Sequence, residues 1–258
     1  MVPRRQPEIM SQLSYSPGYY QSIREDSEAS AREVVPLVMK WFSPRTVVDV
    51  GCGSGTWTAA YKKAGAAVLG IDGYHVKSGQ LLIGADEFER RDLAEALRLD
   101  RRFDLVNCLE VAEHLPAGRA ASLVSDLCRL GDVAVFSAAV PGQGGTHHIN
   151  EQWPSYWIAL FRENGFQAFD CIRPRIWTNE KVAWWYAQNA FVFIKQVRAA
   201  SYTELVESSR ESGPVDLVHP RAYVRATVPR EMSPRMLKEV IRAMPYFPGK
   251  ILVHLRKR

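Results

Sequence analysis

The chain alternates short apolar runs with segments whose apolar residues recur at helical spacing. Apolar residues recur every three or four positions across residues 28–42, and Pro44 ends that run, so the pattern predicts a helix there. Short apolar runs predict strands at 46–50, 68–71, 88–91, 103–109 and 133–136. Because strands that alternate with helices form parallel sheets covered on both faces, the pattern predicts an α/β fold.

The later part of the chain continues this sheet and then changes character. The pattern predicts a helix over 154–163, an alternating strand over 166–172 and an apolar strand over 190–194. This order suggests a sheet edge that turns antiparallel. Beyond Gln196 the sequence predicts a partly helical segment at 201–213, an irregular segment with some β character at 214–229, and an amphipathic helix at 233–244.

Composition places the chain among ordinary globular proteins and locates its charge. Of 258 residues, 47% are hydrophobic and 24% are charged, which excludes a disordered chain, a fibrous repeat and a disulfide-stapled mini-protein. The formal net charge is +5, but residues 197–258 carry +6 and the remainder −1. We therefore expect a lead at 1–27, a near-neutral domain at 28–196 and a basic C-terminal extension at 197–258.

Two further features indicate a cytoplasmic protein. No apolar run reaches the roughly 18 to 20 residues that a membrane span needs, and the first ten residues lack the apolar core of a signal peptide. The cysteines are far apart and form no C-x-x-C pair, so we expect buried thiols in a reducing compartment rather than a zinc ribbon. They are Cys52, Cys108, Cys128 and Cys171.

A buried strand runs into a glycine turn that opens a helix, and this is the most informative stretch of the sequence. The glycines Gly51, Gly53 and Gly55 are spaced G-x-G-x-G, rather than G-x-G-x-x-G as in dinucleotide sites. Asp49 precedes the first glycine. Its carboxylate would repel a pyrophosphate and attract a ligand that carries an ammonium group, so the favoured ligand is cationic.

Two later acids complete the outline of this ligand. Asp72 ends the second apolar run, where a carboxylate can accept hydrogen bonds from both hydroxyls of a ribose. Asp92 follows the third predicted strand, beside Leu93, and suits a polar contact to an adenine amine next to an apolar surface. Together these residues describe an adenosine that bears an amino acid.

With these motifs the sequence resembles the class I S-adenosylmethionine-dependent methyltransferases over about residues 31–195. The resemblance implies a doubly wound, Rossmann-like, seven-stranded methyltransferase sheet with a C-terminal appendage, and S-adenosylmethionine as the cofactor. The cofactor-binding residues that it implies are Asp49, Gly51, Cys52, Gly53, Asp72, Asp92, Leu93 and Cys108.

Acidic and histidine residues follow the fourth predicted strand. Glu110, Glu113 and His114 would share one face of a helical turn at the carboxyl end of the sheet, where ligands bind. Two carboxylates and an imidazole suit Mg²⁺ or Mn²⁺. The alternative is that this turn only caps a helix and shapes the pocket.

A second polar cluster follows the fifth predicted strand. Three glycines and a proline predict a flexible loop at 141–145, and His147 and His148 follow directly. A loop at this position would reach the same crevice as the glycine turn. Either histidine could be a general base for a substrate hydroxyl, a further metal ligand, or a solvated loop residue.

The arrangement of these acids and histidines resembles two methyltransferase groups. Glu110, Glu113, His114 and a later histidine resemble the metal site of small-RNA 2′-O-methyltransferases, and the first three resemble that of ubiquinone-pathway O-methyltransferases. His148 matches the later histidine better, which leaves His147 as the candidate base. The resemblance therefore implies Mg²⁺ or Mn²⁺ bound by Glu110, Glu113, His114 and His148.

The flanking sequence resembles bacterial sugar and polysaccharide-cluster O-methyltransferases. The similar segments are residues 144–157 and 184–189. Their aromatic rings could stack on a sugar or could pack in the core. We therefore expect an O-methyltransferase for a saccharide or glycoside hydroxyl, acting on a small-molecule or oligosaccharide acceptor, with a homo-oligomer an open possibility. The alternatives are an RNA 2′-O-methyltransferase, which the interspersed charges of the tail disfavour, a small-molecule natural-product O-methyltransferase, and a non-catalytic cofactor-binding partner.

Overall fold

The computed structural model describes residues 17–202, residue 205 and residues 214–227. Seven strands form one sheet, as the resemblance implies. The strands are β1 (Thr46–Val50), β2 (Ala67–Asp72), β3 (Phe88–Arg90), β4 (Leu105–Leu109), β5 (Val133–Ser137), β6 (Phe166–Phe169) and β7 (Phe191–Lys195).

Helices flank this sheet, and short 3₁₀ helices occur in the loops. The helices are α1 (Pro17–Phe42), α2 (Thr56–Lys63), α3 (Ala120–Leu130), α4 (Pro154–Glu163), α5 (Arg173–Ile176), α6 (Trp184–Asn189) and α7 (Gln196–Ala199), with a further helix over Pro220–Thr227. The 3₁₀ helices are Ser78–Gln80, Ala85–Glu87, Ala112–His114 and Ala117–Arg119. Of the helices described here, none combines the length and the hydrophobicity needed to span a bilayer.

The strand order is β3-β2-β1-β4-β5-β7-β6, and β7 runs antiparallel between β5 and β6. The other adjacent pairs are parallel. The chain reverses its direction across the sheet between β1 and β4, because β2 and β3 lie on one side of β1 and β4 begins the other side. In doubly wound sheets this reversal opens a crevice at the carboxyl ends of the strands, where ligands bind.

Alternate side chains of the strands belong to two hydrophobic cores, one on each face of the sheet. Val47 and Leu105 belong to the core that includes residues of α1 and α2. Val48 and Val106 belong to the core that includes residues of α3 and α4. Because successive strand residues point to opposite faces, the near-continuous apolar strands of the sequence supply both layers. The α/β fold that the pattern predicted is therefore confirmed.

Helix α1 begins at Pro17, well before the start near residue 28 that the apolar spacing predicted. The pattern missed its first turns because they carry few apolar residues. Some polar side chains of this helix are buried by specific hydrogen bonds instead. Ser27 Oγ lies 3.1 Å from the hydroxyl of Tyr186, and Ser30 Oγ accepts the backbone N–H of Ala183 at 2.9 Å.

The structure contains two compact units, the first ending at His219 and the second beginning at Pro220. The domain end that the sequence predicts at residue 196 stays a prediction. In the structure, residues 214–219 pack within the first unit. Asp216 accepts the backbone N–H of Ser155 at 2.9 Å, and the N–H of His219 donates to Gln188 Oε1 at 2.8 Å. These bonds hold the segment to the domain, and Val215 packs against the core on the α3 and α4 side.

In the second unit, the helix over Pro220–Thr227 replaces the irregular, partly β segment that the sequence predicted. Proline at the first helical position favours a helix start, because it has no N–H to leave unpaired there. The helix predicted over 233–244 lies outside the described residues.

Candidate active site

The glycine turn connects β1 to α2, and its backbone has a conformation that residues with a side chain rarely adopt. Gly51, Gly53 and Gly55 have φ angles of 79°, 55° and 87°. At Gly51 the space is closed as well, since an added Cβ would lie 2.2 Å from a methyl group of Val111. Glycine is therefore required where the turn meets the loop after β4.

Asp49 lies beneath this turn and is almost fully buried. Its carboxylate accepts hydrogen bonds from Thr58 Oγ1 at 2.6 Å and from Asn107 Nδ2 at 2.8 Å. Burial raises the pKa of Asp49 to about 6, although the hydrogen bonds from Thr58 and Asn107 favour the charged form. Asp49 thus ties β1 to α2 and β4, and holds the turn from below.

Asp72 ends β2 and links two loops at the crevice. Its oxygens accept the backbone N–H groups of Gly53 and Gly73, each at 2.6 Å. The ring of His75 lies 3.4 Å from the same carboxylate. A carboxylate oxygen can accept more than one hydrogen bond, so Asp72 keeps acceptor capacity toward a ligand.

A cavity of about 440 Å³ opens at the carboxyl ends of the strands. It brings cofactor residues expected from the sequence together with the acid and histidine residues that follow β4. Its lining residues are Gly51, Asp72, Gly73, His75, Asp92, Leu93, Glu110, Val111, His114 and Leu115. One crevice therefore joins the expected adenosine site to the expected reaction site.

Some expected cofactor residues lie outside this lining. Cys108 is fully buried in the core on the α3 and α4 side, and burial raises the pKa of its thiol. Cys52 is also buried, with a raised thiol pKa from the same cause. Gly53 contributes its N–H to Asp72, and Asp49 acts from beneath the turn. The lining thus contains Gly51, Asp72, Asp92 and Leu93, and contact of the other four expected residues with the cofactor stays a prediction.

Glu110 stands at the junction of β4 and the cavity with a φ of 55°, which is rare for a residue with a side chain. Its carboxylate accepts hydrogen bonds from Gln143 Nε2 at 3.0 Å and Asn189 Nδ2 at 3.1 Å. Burial raises the pKa of Glu110, opposed by these amides. The 3₁₀ helix after it begins only at Ala112, so Glu110 does not share a helical face with Glu113 as the spacing predicted.

Glu113, His114 and His148 form a compact cluster of possible metal ligands. One ligand atom from each lies within 4.8 Å of the others. Both carboxylate oxygens of Glu113 are buried without a hydrogen-bond partner. Burial and the neighbouring Glu110 raise the pKa of Glu113 well above its usual range, and burial lowers the pKa of His114. The structure thus assembles three of the four metal ligands expected from the sequence and places Glu110 outside the cluster.

The loop after β5 is organised by Glu151, whose role the sequence did not reveal. Its carboxylate accepts the N–H groups of Gly142 and Gly144, each at 2.8 Å, and lies 2.9 Å from Nδ1 of His148. The ring of His148 lies against Gly145, where an added Cβ would be 2.2 Å from Nε2. A carboxylate on one side and a glycine on the other therefore fix this histidine.

His147, the expected base, is exposed and does not line the cavity. The physical reason is the backbone, because a φ of 58° at His147 reverses the chain while the next residue, His148, packs inward. A hydrogen bond from the ring of His114 to the backbone of His147 raises the pKa of His114, and the charge of the His147 ring opposes this effect. The structure therefore places His147 beside the cluster rather than within the cavity.

Polar residues on α6 and in the loop were not singled out by the sequence. Gln143, Gln188 and Asn189 hydrogen-bond to one another around Glu110. Asn150 is buried and donates to the carbonyl of Ala112 at 3.3 Å, which fixes the loop against the turn that carries Glu113. The available signal was the presence of amides in an otherwise aromatic and apolar segment, 184–190.

The aromatic residues expected around an acceptor divide into two groups. Trp157, Trp184 and Tyr186 are buried, and Trp157 packs against Phe136 with ring centroids 5.3 Å apart. Trp153 and Tyr156 are partly exposed. Among the described residues, the cavity lining contains no tryptophan and no tyrosine. Core packing, the alternative left open by the sequence, therefore accounts for the buried group.

Comparisons with known proteins agree with this architecture. A family model described as a methyltransferase domain matches residues 20–209. The ubiquinone biosynthesis O-methyltransferase of Pseudomonas entomophila (strain L48) is 36% identical over 106 residues, which cover 36% of this chain and 46% of that protein. The chain thus matches less than half the length of this curated relative.

Two solved structures share the fold at low sequence identity. The sugar N-methyltransferase KedS8 from Streptoalloteichus sp ATCC 53650 has a TM-score of 0.53 at 16% identity, covering 76% of this chain and 99% of its own. The amino pentose methyltransferase CalS10 from Micromonospora echinaspora has a TM-score of 0.50 at 14% identity, covering 69% and 95%. Together with the family model, these matches confirm the fold and the family that the sequence motifs implied.

Proposed function

Since the chain belongs to the methyltransferase domain family of S-adenosylmethionine-dependent enzymes, we propose that it transfers the methyl group of S-adenosylmethionine to a hydroxyl oxygen of a saccharide or glycoside. The observation that carries this proposal is the single cavity that joins Gly51, Asp72 and Asp92 to Glu110 and His114. One end of it suits adenosine, and the other offers polar groups to an acceptor.

The cofactor would lie along the glycine turn. The carboxylate of Asp72 would accept hydrogen bonds from the ribose hydroxyls, and Asp92 with Leu93 would border the adenine. Gly51 lets the backbone turn closely against Val111. Asp49 holds the turn from beneath through its bonds to Thr58 and Asn107.

The acceptor would bind at the Glu110 end of the cavity. The amides of Gln143 and Asn189 hold the Glu110 carboxylate, so it is oriented before an acceptor arrives. Carboxylates and amides are suited to the hydroxyl groups of a sugar, and this is the support for a saccharide. Transfer would be an in-line displacement: the acceptor oxygen forms a bond to the methyl carbon, the sulfonium–methyl bond breaks, and S-adenosylhomocysteine leaves.

The acceptor hydroxyl must also lose its proton. His147 remains our proposed proton acceptor, because it stands beside the compact cluster to which His114 and His148 belong. A histidine on an exposed loop can pass the proton on to solvent.

The cluster of Glu113, His114 and His148 fits a divalent ion, because the Glu113 carboxylate is buried with both oxygens unpaired. Two imidazoles and one carboxylate suit Mn²⁺ better than Mg²⁺, which prefers oxygen ligands. An ion bound there would act as a Lewis acid and lower the pKa of the acceptor hydroxyl. The chain's own contribution is to fix His148 through Glu151 and to hold the loop against the turn.

A second acceptor class is favoured by one observation. The relative that is 36% identical over 106 residues is named a ubiquinone biosynthesis O-methyltransferase, so a small hydroxylated compound of that kind is the other candidate. The cytoplasm stays our proposed location.

The deciding experiment offers methyl-labelled S-adenosylmethionine to the full chain with three acceptor classes: saccharides and glycosides, hydroxylated small molecules, and RNA. We expect label in the saccharide class. Each reaction is run after dialysis against EDTA and again with Mn²⁺ or Mg²⁺, and we expect Mn²⁺ to restore the higher rate. Gly51→Ala serves as the cofactor-site control. Label in another class would show that the acceptor is not a saccharide. Unchanged rates after dialysis against EDTA would show that no metal ion takes part in the reaction.

A further inference from the structure

A second cavity lies at the opposite end of the sheet from the crevice and has a volume of about 330 Å³. It is formed where α1 ends and where β1, β4 and β5 begin, together with residues that follow β7. Its lining residues are Phe42, Ser43, Arg45, Arg102, Phe103, Asp104, Asp132, Val133, Arg198 and Tyr202. We call it the basal cleft.

The negative charges of the basal cleft are already engaged. Asp104 Oδ2 accepts the backbone N–H groups of Arg45 and Thr46, each at 2.9 Å, and the hydroxyl of Thr46 at 3.1 Å. Asp132 pairs with Arg102 and lies 3.5 Å from the ammonium of Lys195. These contacts compensate both carboxylates with donors from the protein itself.

Two guanidinium groups of the basal cleft remain without such compensation. Among the described residues, neither Arg45 nor Arg198 forms an ion pair with a carboxylate. Guanidinium groups match the geometry of phosphate and bind it through paired N–H donors. Arg45 and Arg198 are therefore the donors that the cleft offers to an anion such as phosphate.

The same cleft offers an aromatic surface. Phe42 and Tyr202 meet edge to face with ring centroids 5.0 Å apart, and both line the cavity. Rings in this position can contact a planar group attached to the anion. We propose that the basal cleft binds a small phosphate ester that carries a planar ring, with Arg45 and Arg198 holding the phosphate.

Phenyl phosphate, phenol and inorganic phosphate test the two halves of this proposal. Each is titrated by calorimetry into the full chain with excess S-adenosylhomocysteine present, which fills the cofactor end of the crevice. The variants of the basal cleft then distinguish binding in the cleft from binding at the acceptor end of the crevice. We expect phenyl phosphate to bind more tightly than inorganic phosphate, and phenol not to bind. Binding of phenyl phosphate should weaken as salt rises, because the site is open to solvent.

The test variant carries both Arg45→Gln and Arg198→Gln. The control variant carries both Arg98→Gln and Arg162→Gln. The control pair is exposed, lies outside the cleft and changes the net charge equally. We expect at least a tenfold loss of phenyl phosphate affinity in the variant and less than a twofold change in the control. No binding to the wild-type chain, equal losses in both pairs, or equal affinity for phenol would overturn the proposal. Equal affinity for inorganic phosphate would overturn the part of it that assigns a ring.

The titration is independent of methyl transfer. A chain that methylates none of the acceptors still tests the cleft, because S-adenosylhomocysteine is present only to occupy the other cavity.

Discussion

The Nδ1 atom of His148 lies 2.9 Å from Oε1 of Glu151, whose carboxylate also accepts two backbone N–H groups of the same loop. This carboxylate therefore sets both the ring orientation of His148 and the path of the loop. A carboxylate bonded to one nitrogen of a histidine also directs the other nitrogen toward a ligand.

Glu151→Gln is therefore expected to weaken the site without unfolding the domain. The amide keeps one acceptor oxygen but loses the charge, so we expect a drop of about 10- to 100-fold in Mn²⁺ affinity or in turnover. Electron paramagnetic resonance of bound Mn²⁺ and methyl-transfer assays measure the two quantities. The matched control is Glu163→Gln, an exposed residue of α4. Equal behaviour of the two variants would show that Glu151 does not position His148.

Gly145→Ala tests the same histidine from its other side. The added Cβ would lie 2.2 Å from Nε2 of His148, so the ring must move. We expect Mn²⁺ affinity to fall about tenfold or more, in line with the loss of one well-placed ligand or its support. Gly118→Ala is the control, because an added Cβ there meets nothing within 4 Å. Retention of full Mn²⁺ affinity in Gly145→Ala would exclude His148 as a ligand.

The raised pKa of Asp49 predicts how the stability of the folded chain depends on pH. Burial raises its pKa in the folded chain from 3.8 to about 6, so the folded state binds its proton more tightly than the unfolded state. The free energy of unfolding therefore falls as pH rises from about 4 to about 6, and the loss persists above that range. A shift of this size corresponds to about 3 kcal/mol.

Asp49→Asn removes this titration and keeps a side chain of the same shape. An amide can still accept from Asn107 and donate to the hydroxyl of Thr58. We expect the stability of wild type minus that of the variant to decrease by about 2 kcal/mol between pH 4 and pH 6, which is most of the full change. Urea unfolding at several pH values measures it. A difference that stays constant over this range would mean that Asp49 titrates normally.

The cofactor half of the site could be predicted from sequence because its signals are local. Gly51 directly follows β1 and Asp72 is the last residue of β2, and parallel strands bring their carboxyl ends to one edge. The turn chemistry and the strand pattern therefore point to the same place. The same reasoning gave the α/β fold and most strand positions.

The acceptor half could not be predicted, because its contacts join distant parts of the chain. Gln143 and Asn189 hold Glu110 across 33 and 79 residues. The positive φ of Glu110, which ends the strand before the 3₁₀ helix that carries Glu113, has no signature in a glutamate. Likewise, the apolar spacing of α1 gave no sign that Ser27 and Ser30 are buried by hydrogen bonds to α6 and its flank.

His147→Asn tests the proposed proton acceptor. We expect a decrease of about 100-fold in kcat, because general-base catalysis typically contributes that much, while affinity for S-adenosylmethionine stays unchanged. His75→Asn is the comparison, because His75 lines the cofactor end beside Asp72 and should alter cofactor affinity instead. Single-turnover rates and cofactor titrations separate the two effects. Full turnover in His147→Asn would mean that the acceptor proton leaves without this side chain, and His114, the histidine that lines the cavity beside Glu110, would then be the next variant to measure.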